Sequence, residues 1–292
     1  MRKNAASTRD ENGFACIAER SDSRKSESMA KEKSEIIVGT SGYSFDDWEG
    51  EFYPPGLLKG KRLDFYKDHF KAVEINSTYY RIPHPAVFYN MAKKVGDDFE
   101  FIIKTHRSFT HDRDDLDDKS REFNEAIKPI IESGRLKGFL AQFPFGFKYS
   151  PQNLDYILNG ADYFPDAPLF VEFRHDSWDR DEVYKTLGAR NIGFCSVDEP
   201  QLPGLFPPKA LATIDIGYVR LHGRNGANWW NGGGDRYDYL YSENELKEWK
   251  NKIEDLKSKT NKVYLFFNNC HLGQAVRNAK MFLEMMQTEL GK

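Results

Sequence analysis

Cysteine is scarce in this chain: three among 292 residues, Cys16, Cys195 and Cys270, with no pair spaced CxxC. That removes the usual signals of a zinc knuckle and of a dithiol redox motif, and scattered thiols suit a reducing compartment. Histidine is also sparse, seven in all. No apolar run approaches the roughly 20 residues that span a bilayer. No apolar h-region stands near the start, so no membrane anchor or secretory signal is expected and the cytoplasm is the default location. A basic excess is missing: 42 Lys and Arg face 45 Asp and Glu, a net charge of -3. That balance counts against a protein that grips nucleic acid chiefly through its phosphates, although it leaves room for a local basic cleft. Gly39 and Gly42 are spaced only GxxG after the first apolar run. The glycine fingerprint of a doubly wound dinucleotide-binding sheet is therefore absent.

What is present is a long alternation. Residues 1–33 are rich in Ser, Arg, Lys and Glu and poor in apolar side chains, which predicts a disordered tail. From residue 34 to 292, β-rich apolar runs alternate with helical patterns. The runs are Ile36–Tyr43 with its turn, Ala72–Asn76, Phe99–Lys104, Leu136–Gln142, Leu169–Arg174, Ile192–Asp198, Tyr218–Gly223 and Val263–Asn269. Helices are expected over 62–70, from Pro85 to about Val95 with Val87, Phe88 and Met91 inward, and from about Ser120 to Ser133. Further helices are expected after Ser150-Pro151, at Val183–Gly188, from Ser242 to about Lys257 behind a capping box with Glu245, and at the end of the chain. The prolines at 200, 203, 207 and 208 predict that the helix after the sixth strand is short or missing. About eight strands with seven to eight helices is the (β/α)8 count, in one domain of the roughly 250 residues such barrels use. The fold class is α/β, a single TIM-type barrel.

In such a barrel every strand delivers its last side chains to one face, where barrel enzymes work. Most runs here end in a polar group. Lys104, Arg174 and Arg220 can hold an anion, the arginines with a bidentate fork. Glu74 and Glu172 can divide acid and base roles if their surroundings differ, and His222 can move a proton near neutrality. Asn76, Gln142, Asn268 and Asn269 suit recognition of hydroxyls or base edges. The long loop 224–241 carries Trp229, Trp230, Tyr237 and Tyr239, rings that could stack on a ligand and close the site. Each has a plainer reading beside it. Glu172 and Arg174, two apart, share a strand face and can be a buried ion pair. Lys104 can be a counter-ion of Glu74 or Glu172, His222 a hydrogen-bonded core histidine, Asn268-Asn269 a helix cap, and Trp229-Trp230 packing on the rim.

Gly39-Thr40-Ser41-Gly42-Tyr43, Trp48 with Gly50-Glu51-Phe52-Tyr53-Pro54, and Val73-Glu74-Ile75-Asn76-Ser77-Thr78-Tyr79-Tyr80 resemble the YecE-like domain-of-unknown-function proteins. Gln142-Phe143-Pro144, Glu172-Phe173-Arg174, Tyr218 with Arg220 and His222-Gly223, and Phe267-Asn268-Asn269 follow in the same order, from about Ile36 to the last helix. The resemblance implies a TIM-type barrel, similar in fold to xylose-isomerase-like and endonuclease-IV-like barrels, and implies no established activity. Endonuclease-IV-like enzymes use many His, Asp and Glu ligands for several zinc ions. Seven histidines do not support such a site, and one divalent metal on Glu172, Asp198 and His222 is the optional cofactor.

The expected function is an enzyme. Glu74, Glu172 and His222 would manage protons while the basic trio binds a phosphate-containing small molecule or nucleic-acid end. The reaction would be hydrolysis or lysis of a phosphate ester. A sugar isomerase or epimerase using the same carboxylates is one alternative, and a noncatalytic binder of nucleic acid or a metabolite is another. No stable protein partner is implied.

Overall fold

A computed structural model describes residues 34–290, so the expected tail at 1–33 lies outside the described residues. Eight parallel strands close into a barrel in sequence order: β1 (Glu35–Ser41), β2 (Ala72–Ile75), β3 (Glu100–Lys104), β4 (Leu136–Gln142), β5 (Leu169–Glu172), β6 (Gly193–Asp198), β7 (Ile216–Leu221) and β8 (Lys262–Phe267). Closure is made by β1 on β8, in register from Glu35 opposite Lys262 to Thr40 opposite Phe267. A parallel strand buried on both faces needs continuous apolar character, and β2, β5 and β6 are buried along their whole length.

The outer layer, which includes α1 (Arg62–Tyr66), α2 (Ser77–Tyr80), α3 (Pro85–Lys94) and α6 (Asp181–Ala189), follows from helical periodicity. In α4 (Leu116–Glu132) the buried residues Phe123, Ala126, Ile127 and Ile130 recur at three and four, one stripe facing the sheet. Ser150 caps α5 (Pro151–Gly160) by accepting the Asn153 amide at 3.1 Å. Ser242 and Glu245 form the expected capping box of α7 (Glu243–Lys257). Between β6 and β7 there is no helix, as the prolines there require. Three local expectations change. The helix expected over 62–70 ends at Tyr66. α4 begins at Leu116 rather than near Ser120, entered from Asp115 in the left-handed region (φ 48°). In α3 (Pro85–Lys94) the buried stripe is Phe88, Met91 and Ala92, while Val87 is exposed, because i, i+3 and i+4 share a face and i−1 does not.

The layer beneath the mouth is aromatic. Phe170 packs on Tyr218 at 4.7 Å between ring centres, and Tyr218 on Phe266 at 5.5 Å. Phe170 fits because Gly193, its partner on β6, and Gly138, two positions before its partner Leu140 on β4, leave room for the ring. A Cβ on Gly193 would lie 2.3 Å from Phe170 Cδ1, and one on Gly138 would lie 2.7 Å from its Cε2. Gly193→Ala is therefore expected to destabilise the barrel by about 1–3 kcal/mol, since the buried ring has nowhere to go. Chemical denaturation checks this, and a loss within error of zero would show that Phe170 can repack.

Candidate active site

A strand has a side-chain period of two, so parity decides which residues enter the barrel. Tyr218, Arg220 and His222 share one face of β7 and its exit. Phe170, Glu172 and Arg174 do so on β5, Glu74 and Asn76 on β2, and Phe266 and Asn268 on β8. β3 contributes Lys104, β4 Gln142 and β1 Ser41. One network joins Glu74, Glu172, Arg174, Arg220 and His222, and these carboxylates and cations gather at a single rim.

Arg220 sits at its centre, 2% exposed, with Glu74 and Glu172 fully buried on either side. Its Nη2 donates to Glu74 Oε1 at 2.7 Å and its Nη1 to Glu172 Oε2 at 2.5 Å. Glu74 also accepts from the Tyr218 hydroxyl at 2.5 Å and from Asn76 Nδ2 at 2.9 Å. Charge-assisted bonds of this kind offset the large penalty of removing three ions from water. The second oxygen of Glu172 lies 2.7 Å from Arg174 Nε and 3.3 Å from His222 Nε2. Arg174 reaches on through Nη1 to Glu199 Oε2 at 2.8 Å, and Glu199 accepts the Phe206 amide at 3.1 Å. Asn268 Nδ2 meets His222 Nδ1 at 2.8 Å, which leaves the ring proton on Nε2.

This arrangement redistributes the acid–base roles. Burial pushes Glu172 upward, but Arg220, Arg174 and His222 outweigh it and hold the carboxyl well below its usual range. His222 is brought down to about 3 by burial and by Arg174, so it stands neutral. Neither group changes charge near neutrality, contrary to the proton-carrying roles expected of Glu172 and His222. Two others do. Burial raises Glu199 to about 7 against the pull of Arg174. Burial, helped by Arg220, lowers Lys104 to about 7 against Glu172 and Glu74.

Lys104 is also not the counter-ion of Glu74 or Glu172, because Arg220 takes both. Its Nζ donates to Gln142 Oε1 at 2.9 Å and lies 4.5 Å from the centre of the Tyr79 ring. It stands in the wall of a mouth cavity of about 200 Å³ with Asn76, Gln142, Arg174, Arg220, Tyr237 and Asn268. Ser41, Phe45, Tyr80 and Cys270 complete the lining.

Five residues expected at the site go elsewhere: Asp198, Asn269, Trp229, Trp230 and Tyr239. Asp198 has the opposite parity to Cys195 and leaves the barrel; its carboxylate is gripped by Arg224 through Nε at 2.9 Å and Nη2 at 3.1 Å. Glu172, Asp198 and His222 therefore do not converge as metal ligands, and among the described residues no group of three His, Cys, Asp or Glu is placed to hold a metal ion. Asn269 also points outward and donates to Tyr239 O at 2.7 Å and to Asn278 Oδ1 at 2.9 Å, tying β8 to α8 (Gln274–Leu290). Trp229 is buried, with the Arg174 guanidinium 5.7 Å over its ring, so it supports the arginine rather than facing the cavity. Tyr237 alone of the loop aromatics enters the cavity lining, while Trp230 packs against Phe145 at 4.7 Å and Tyr239 bonds Glu245 at 2.5 Å. Glu199 is the principal residue that sequence reading passed over. The signal was available, since it is the next inward position after Cys195 and Val197.

Fold and site define a parallel (β/α)8 barrel with a buried ionic network closing its C-terminal mouth. Residues 37–292 match the family described as protein of unknown function DUF72, and the chain belongs to that family. It is 30% identical over 272 residues to YunF of Bacillus subtilis, covering 87% of this chain and 95% of that one. A crystal structure of a DUF72 family protein from Thermotoga maritima is 44% identical with a TM-score of 0.81, over 87% of this chain and 99% of the other. One from Enterococcus faecalis has a TM-score of 0.78 at 24% identity, over 86% and 95%, a likeness of fold. No helix among the described residues is long and apolar enough to cross a membrane.

Proposed function

We propose that the barrel mouth is the active site of an enzyme acting on a small anionic substrate, phosphate-bearing by preference, with Arg174 and Lys104 meeting the anion. One observation carries the reading: Lys104 stands in the cavity wall with no carboxylate at ion-pairing distance among the described residues. Below about pH 7, with Glu199 protonated and Lys104 charged, Glu74 and Glu172 face three cations, Arg174, Arg220 and Lys104, one positive charge in excess. An arriving anion supplies the balance in a desolvated setting where such contacts are strong. The cavity, about 200 Å³, is below the usual roughly 300–1,000 Å³ of ligand sites. That size favours a sugar-phosphate-sized molecule over a polymer. Near-neutral titration of Lys104 supplies the proton exchange needed for elimination or isomerisation next to the anion.

Thermal-shift titrations with inorganic phosphate, sugar phosphates, nucleotides and abasic DNA, with and without divalent metal, test the reading alongside turnover assays. A small phosphate ester is expected to raise the Tm. Arg174→Gln is expected to weaken its binding roughly 10- to 100-fold, the worth of one hydrogen bond to a charged group. Silence across the whole panel, in melting and in turnover alike, would end it.

A further inference from the structure

Lys104 is built differently from the other lysine that enters the barrel. Lys262, at the opposite end, has its Nζ 2.6 Å from Glu100 Oε1 in an ion pair. Lys104 meets an amide instead. Gln142 cannot turn to offer its NH2, because Nε2 is committed to Phe143 O at 2.9 Å; Oε1 is therefore fixed as the acceptor. One N–H of Lys104 is thereby oriented, and the remaining valences of the nitrogen face the Tyr79 ring and the cavity. The backbone is equally fixed: the Thr78 hydroxyl donates to Lys104 O at 2.6 Å, and Lys104 pairs with Leu140 at the end of β3. Arg220 and Arg174 repel an added positive charge, and burial does the same, which brings the amine to about 7. A placed, unpaired amine that is half deprotonated at neutrality is the state in which a lysine attacks a carbonyl carbon.

We infer that Lys104 is a nucleophile that forms an imine with a short carbonyl compound carrying a phosphate or carboxylate, the anion resting on Arg174. This rests on the function proposed above and names its substrate class and its covalent step. The Nζ lone pair attacks the carbonyl carbon, a new C–N bond forms, and the proton lost from nitrogen passes to the carbonyl oxygen, giving a carbinolamine. Protonation of that hydroxyl from water in the cavity mouth releases water as the C–O bond breaks, leaving the iminium. No oxidant or reductant takes part. The iminium then draws electrons from the neighbouring carbon, which is how it would assist proton removal or C–C cleavage there. The small cavity limits the compound to a few carbons beyond its anionic group.

The full chain is incubated at pH 7 with pyruvate or with dihydroxyacetone phosphate, as the carboxylate and phosphate arms, and reduced with cyanoborohydride. Intact mass and peptide mapping then follow. The expected result is one adduct on Lys104, its mass that of the carbonyl compound less one oxygen, blocked by excess inorganic phosphate. The arm that labels identifies the anion. Lys104→Arg is expected to fold and to lose the adduct. Labelling spread over surface lysines, or no labelling by either arm while phosphate esters still raise the Tm, would overturn the imine and leave the anion site standing. Absence of both labelling and any Tm shift would remove the two together.

Discussion

Arg220→Met is expected to lower stability by about 3–5 kcal/mol, the usual consequence of removing one member of a buried ionic group. Arg220 holds Glu74 at 2.7 Å and Glu172 at 2.5 Å with both carboxylates fully buried. Without it Glu172 keeps Arg174 at 2.7 Å, and Glu74 has no cation at ion-pairing distance among the described residues. The pH dependence identifies the cause. In the native protein the Glu172 pKa is depressed, so its contribution is present above the unfolded carboxylate range and lost as pH falls. With Arg220 gone, burial acts on Glu172 with less opposition and its pKa moves upward. The protonated form is then the one that folding favours, and the variant loses stability as pH rises. Urea unfolding at pH 5 and pH 8 should show the larger deficit at pH 8, and Glu172→Gln added to Arg220→Met should recover part of it. An equal deficit at both values would mean lost packing rather than unpaired charge.

Lys104→Met is expected to act in the opposite direction on stability and, on the function proposed above, to abolish turnover. The Lys104 amine titrates at about 7 when folded, against roughly 10.4 in an unfolded chain. Between these values the unfolded state binds one more proton, so native stability rises with pH across that window. Below about pH 7 the protein carries the full penalty of burying the charge. Methionine removes that penalty, so the variant should be more stable by on the order of 2–4 kcal/mol at pH 7 and below, and the advantage should shrink toward pH 10. Denaturation series at pH 6, 8 and 10 measure it. A variant less stable than the native protein at pH 6 would show that the Gln142 and Tyr79 contacts outweigh desolvation. Stability sacrificed at one interior lysine is a common signature of a group kept for chemistry.

The count of strands and helices, their order and the missing helix after β6 were legible from periodicity and proline placement alone. Strand exits were legible as well, because a polar residue ending an apolar run in an α/β pattern has few other places to go. Asp198 and Asn269 show the limit of that rule. Each closes its run as the polar residue at the exit, yet each has outward parity, and Glu199 and Asn268 beside them face inward. Val87 against Phe88 is the same error on a helix. Counting from an unambiguous interior position, Cys195 on β6 or Phe266 on β8, would have corrected both strand assignments.

Chain order and hydropathy thus determined a closed barrel and the residue types at its mouth, since both depend on repeats only a few residues long. Which cation serves which carboxylate depended on separations of 146 and 48 positions, from Arg220 to Glu74 and to Glu172, and on the room left by neighbouring side chains. Only the folded chain could decide that Arg220 takes both acids and leaves Lys104 without one. Burial then brings Lys104, left without a carboxylate at ion-pairing distance, down to about 7.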